Sequence, residues 1–242
     1  MVSRKSPPWL GLVALSTFTG VLVLCGPEPV RADDSPLKLP VEAFYSNDEP
    51  ALSAILRFGR ENNIALGLVA GDQLCSTTIT GFSVEHATVE VVFKTFGQML
   101  PSYHWDVEDG AVVLAPDNIP KPVARFLAVV PPPYVIAADT LQGQAAWAWM
   151  DIRAALRPWE GTAASVLSSP RSVRWPALVV REVTVRQLLN RLVARKKGSA
   201  WVVFPFRDFD RAADHRPFWL LDYSENLGIP AAIPPCVGSQ RP

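Results

Sequence analysis

The apolar positions of this chain change period several times, and each change predicts an element. Leu52, Ile55, Leu56 and Gly59 fall at helical spacing, after a run Ser46-Asn47-Asp48-Glu49-Pro50 that holds cap residues, an acid and an early proline. That predicts a helix closed by Asn62-Asn63. Ile64 to Val69 is apolar throughout and reads as a short buried strand, with Gly71-Asp72 as a turn. Ile79 to Val84 is the next strand. Val89, Val92, Phe93 and Phe96 then make one apolar stripe on a helix capped by Thr88 and stopped by Pro101. Tyr103 to Val107 and Ala111 to Leu114 flank Asp109-Gly110, a strong hairpin signal that sets Trp105 and Val107 opposite Val112 and Leu114.

The second half is read the same way. Asp139 to Leu156 predicts a helix with Ala145, Trp149, Ile152 and Leu156 on one side, stopped by Pro158. Val173 to Val180 reads as a strand. Thr184 and Gln187 have capping-box spacing ahead of a stripe of Val185, Leu188, Leu189 and Leu192, and Gly198 closes that helix. Ala200 to Phe206 and Phe218 to Tyr223 predict a second hairpin with a long charged loop. Between the halves, residues 116–133 hold six prolines, a stiff connector in which Val123 to Val130 reads as a strand of its own. Residues 33–50 are polar and turn-rich.

The two halves echo each other at one ungapped offset. FSVEHATVEVVFKTF from Phe82 recurs as LVVREVTVRQLLNRL from Leu178, 96 positions on. Val84 meets Val180, Thr88 meets Thr184, Val89 meets Val185, and Trp105 meets Trp201. Two copies are too few for a solenoid, so the repeat predicts two similar modules. The expected fold class is α+β, each module packing amphipathic helices on one face of a short mixed sheet. The expected organisation is a signal peptide over 1–32, a first module over 33–116, the connector over 117–136, a second module over 137–226 and a loose tail over 227–242.

The ends and the charge narrow the setting. Arg4 and Lys5 precede an apolar run from Trp9 to Cys25, and Val30-Arg31-Ala32 offers a cleavage site, so export to the periplasm or beyond is expected. Lipidation at Cys25 is a weaker reading, because Leu24 stands where a small residue is preferred. No later stretch is long and apolar enough to span a bilayer as a helix. Cleavage would leave 20 basic and 22 acidic residues, and nothing in that balance points to a nucleic-acid partner, which would need a basic excess on one face. Cys75 and Cys236 would remain as a candidate disulfide in an oxidising compartment, against the alternative of a buried thiol and a free one.

ALSAILRFGRENNIALGLV, TGFSVEHATVEVVFKTF and YHWDVEDGAVVLAP, over about residues 48–116, resemble the short N-terminal domain shared by bacterial secretins and TonB-dependent receptors. The second module shares the Thr-Val helix and the Trp hairpin and departs upstream. The resemblance implies a non-catalytic periplasmic domain that docks another envelope protein by a sheet edge or a helix face. No barrel or ring segment follows here, so a freestanding envelope protein is expected.

Chemistry-bearing residues are sparse. His86, His104 and His215 have no second ligand at metal spacing, and neither a metal nor an organic cofactor is expected. Asp106 and Glu108 share a strand face, and paired carboxylates can hydrolyse glycosides. The simpler reading is the solvated face of a hairpin. Trp147, Trp149, Trp159 and Trp175 crowd the second module, and Trp147 and Trp149 cannot both face one core from a helix. They are candidates for a partner-binding surface, for glycan stacking, or for packing between the modules. The leading expectation is a non-catalytic protein-interaction module. Cell-wall glycan binding and a hydrolase are the alternatives.

Overall fold

The structure is a computed structural model that describes residues 35–137, 139–140, 164–167, 174–204 and 218–222. In chain order these form β1 (Pro40–Ser46), β2 (Glu49–Pro50), α1 (Ala51–Glu61), β3 (Leu66–Val69), α2 (Asp72–Ser76), β4 (Thr78–Ile79), β5 (Phe82–Thr88), α3 (Val89–Met99), β6 (Tyr103–Glu108) and β7 (Ala111–Pro116). There follow α4 (Lys121–Ala128), β8 (Tyr134–Ile136), β9 (Asp139–Thr140), β10 (Ala164–Leu167), β11 (Arg174–Trp175), β12 (Leu178–Val180), α5 (Val185–Ala194), β13 (Ala200–Phe204) and β14 (Phe218–Asp222). The fold is α+β.

Six strands form one mixed sheet in the order β10-β14-β13-β3-β7-β6. The two halves of the chain therefore meet inside a single sheet, through parallel pairing of β13 with β3 (Trp201 opposite Gly67). Leu66 N–H donates to Ser199 O at 3.0 Å and Ala70 N–H to Val203 O at 2.8 Å at this seam. Both faces of the central strands β13, β3 and β7 are covered. On one, Leu66, Leu68, Val112, Leu114 and Val202 pack with α1 and α3 around Phe44, Phe58, Phe93 and Phe96. Those rings meet mostly edge to face, as with Phe44 and Phe58 at 5.1 Å between centroids. On the other, Val69, Val113, Trp201 and Val203 pack with α4 and α5. Trp201 Nε1–H donates to the buried Asn190 Oδ1 at 2.8 Å, which satisfies both groups.

The echo in the sequence is an echo in the backbone. β1 pairs antiparallel with β5, which leads into α3; β8 pairs antiparallel with β12, ahead of α5. The first N–H of α3 donates to Leu39 O and that of α5 to Val129 O, each acceptor lying ahead of the first strand of its ribbon. His86 and Glu182, 96 apart, both hold the left-handed conformation, with φ of 48° and 53°.

Several elements differ from the reading of the sequence. Val123 to Val130 was expected to be a strand, but α4 is a helix, with Val123, Phe126 and Leu127 buried at helical spacing. Pro122 lies in its first turn, where the missing N–H is not needed. Asp139 was expected to open a helix; Asp139–Thr140 is instead a strand paired with β11, and residues 141–156 of that expectation lie outside the described residues. Val173 to Val180 splits at Pro176 into β11 and β12, which pair with different partners. The expected turn at Gly71-Asp72 opens α2. β1 lies within the stretch read as polar. Thr88 stands at the head of α3 but makes no side-chain cap, whereas Thr184 and Gln187 form the complete capping box.

Candidate functional site

The site with the clearest structural definition is the outer edge of β6. Asp109 and Gly110, with φ of 47° and 81°, form the tight turn that joins it to β7. Glu108 faces Ala111 across that turn, so Glu108, Asp106 and His104 direct their backbone groups to β7. Val107, Trp105 and Tyr103 direct theirs outward. Val107 N–H accordingly reaches back to Asp106 Oδ1 at 2.7 Å, and Tyr103 N–H to Leu100 O at 2.9 Å. Among the described residues no strand pairs with the outer side of β6. Unpaired strand edges are templates for another strand, and a local carboxylate on the edge amide moderates that.

The two faces beside this edge differ. On the α3 side, Trp105 and Val107 are half-buried, with Trp105 6.0 Å from the Phe93 ring. On the other side, His104 lies exposed with Nδ1 3.2 Å from Asp117 Oδ1, and Asp106 is exposed. Glu108 accepts from Arg186 at 2.6 Å and Asn190 at 3.5 Å, and Arg191 lies 3.4 Å from Asp109. These contacts tie α5 onto the first module's hairpin. Each carboxylate of the proposed catalytic pair thus has a structural partner.

The tryptophans are only partly placed. Trp175 lies on β11, half-buried against the cluster under α5. Trp147, Trp149 and Trp159 lie outside the described residues, as do His215 and Cys236. Cys75 lies in α2 and is disulfide-bonded. Among the described residues no helix is long and apolar enough to cross a membrane, and no group of three or more His, Cys, Asp or Glu could hold a metal ion.

Three surface features escaped the sequence reading. Val135 and Val179 face each other across the β8–β12 ribbon, each 63% exposed. Their alternation with buried Ile136 and Val180 was hidden by strands only three residues long. Arg57 stacks 4.5 Å over the Phe44 ring and bonds Glu49, Glu61 and Tyr45 O. Its pKa is raised, chiefly by the Glu49 hydrogen bonds. On the β1–β5 ribbon Tyr45 donates to Glu85, which raises the phenol above its ordinary range. Arg195, by contrast, is lowered by burial, and it donates to Pro176 O at 2.8 Å.

Compared with protein-family models, curated proteins and solved structures, the chain matches none.

Proposed function

We propose that this protein is an exported, non-catalytic interaction module of the cell envelope, and that it docks a partner strand on β6. The observation that carries this reading is the edge itself. β6 ends a six-stranded sheet with the backbone of Trp105 and Val107 turned outward, and half-buried apolar side chains stand beside it. An added strand gains main-chain hydrogen bonds from such an edge and specificity from the side chains flanking it. The resemblance of residues 48–116 to an envelope docking domain points the same way.

Tagged protein captured from cells after crosslinking tests the reading. Val107→Pro removes an outward N–H without touching the β7 ladder, so a partner seen with wild type is expected to be lost from this variant. Equal capture by a folded Val107→Pro protein would refute β6 docking. A second contact is proposed around Trp147 and Trp159. Trp147→Ala and Trp159→Ala in the same capture test it, and unchanged yields would remove it.

A further inference from the structure

The pairing of β13 with β3 is a junction between two repeats, and among the described residues the two ends of the sheet carry the same two halves of that junction unpaired. In the first module the sheet runs β3-β7-β6, with β3 parallel to β7 and β6 antiparallel to it. In the second it runs β10-β14-β13 with the same relations. The registers correspond. Trp105 faces Leu114, which faces Leu68; Trp201 faces Leu221, which faces Val166. So β6 is the counterpart of β13, and β10 is the counterpart of β3.

The operator relating the modules follows from direction and burial. β13 runs parallel to β3, which makes it antiparallel to β6. Trp105 packs on the face covered by α1 and α3, and Trp201 on the face covered by α4 and α5. Module two is therefore module one turned by half a revolution about an axis lying in the sheet across the strands, and shifted by three strands. The same operator run in reverse from module one places another module beyond β6, in the orientation of this chain's own second module. The strand it brings to β6 is β10, in parallel.

The backbone agrees. At the internal junction Ser199 and Val203 accept from Leu66 and Ala70, so Ser199, Trp201 and Val203 address β3. Their counterparts Tyr103, Trp105 and Val107 address the open side of β6. Leu66 and Leu68 address β13 in return, and their counterparts Ala164 and Val166 face the open side of β10. We infer that a second copy of this chain adds its β10 to β6 in parallel, setting Trp105 opposite Ser165 and Val107 opposite Leu167 as Trp201 and Val203 stand opposite Gly67 and Val69. The contact uses different patches on the two copies, so it propagates head to tail rather than closing as a two-fold dimer.

One substitution tempers the copy. Gly67 lies against the Trp201 ring, where a Cβ would come within 2.4 Å, and Ser165 holds the matching place on β10. Trp105 has more latitude, because Lys94 at the repeat position of Asn190 has no acceptor to fix an indole N–H. Val107 N–H would exchange its bond to Asp106 for a ladder bond.

The inference rests on β6 being the contact edge and names the strand that fills it. Sedimentation velocity of the purified protein over a wide concentration range tests it, with Val107→Pro and Val166→Pro as variants that each block one edge. Wild type is expected to grow past the dimer with concentration, each variant to stay monomeric, and their equimolar mixture to stop at the dimer. Hydrogen exchange on wild type gives a reading independent of either variant's folding: the Trp105 amide is expected to gain protection as concentration rises. A monomer at every concentration, a closed dimer, or a Trp105 amide that exchanges equally at all concentrations would overturn self-pairing. If such a monomer still loses its envelope partner on Val107→Pro, docking at β6 stands alone; if that capture is unaffected, both readings fall.

Discussion

At the scale of single residues, the seam between the two halves depends on the absence of one side chain. Gly67 has no Cβ, and the Trp201 ring occupies the space, with its Cζ2 atom 2.4 Å from where a Cβ would stand. Trp201 cannot retreat without depriving the Oδ1 atom of the buried Asn190 of its indole donor. Gly67→Ala is therefore expected to destabilise by about 1–3 kcal/mol through overpacking, measured by urea unfolding. A change near zero would mean the ring is free to move. The sequence shows Trp201 as a hairpin anchor, but not the glycine beneath it, because the two lie on strands that pair across most of the chain.

At the scale of elements, helices with a clean stripe were legible and short strands were not. α3 and α5 hold their apolar residues at helical spacing, so Val89, Val92, Phe93 and Phe96, and later Val185, Leu188, Leu189 and Leu192, are buried as read. The β6–β7 hairpin was legible because Asp109-Gly110 allows few other conformations. β1 was not, since Val41, Phe44 and Ser46 are its buried residues and do not alternate. α4 was misread because Val123 to Val130 is nearly all apolar, and such a run suits a strand or a helix until its first turn is known. The two related helices also differ in their caps. In α5, Gln187 N–H donates to Thr184 Oγ1 at 3.2 Å and Thr184 N–H to Gln187 Oε1 at 2.9 Å; α3 has no side-chain cap. Thr184→Ala is expected to cost about 1 kcal/mol in chemical denaturation, and Thr88→Ala clearly less. Equal losses would show that the cap geometry does not set helix stability here.

At the scale of the whole molecule, the sequence shows two modules but not that they share a sheet, because strand order rests on contacts between β3 and β13 that no local pattern encodes. The shared sheet, with α5 tied to the first hairpin through Arg186–Glu108, predicts that the halves unfold together. Far-UV circular dichroism and tryptophan fluorescence are expected to report one coincident transition. Two separated transitions would show that the seam is weaker than its packing suggests. The same sheet leaves β6 as an end strand, and the functional account depends on that edge being occupied in the cell. The most direct measurement places a photo-crosslinking amino acid at His104, exposed on β6, and another at Lys94, on the helix behind it, and irradiates living cells. A defined crosslinked protein is expected from position 104 and not from 94. A blank at 104, or the same products from both positions, would contradict β6 as the contact edge.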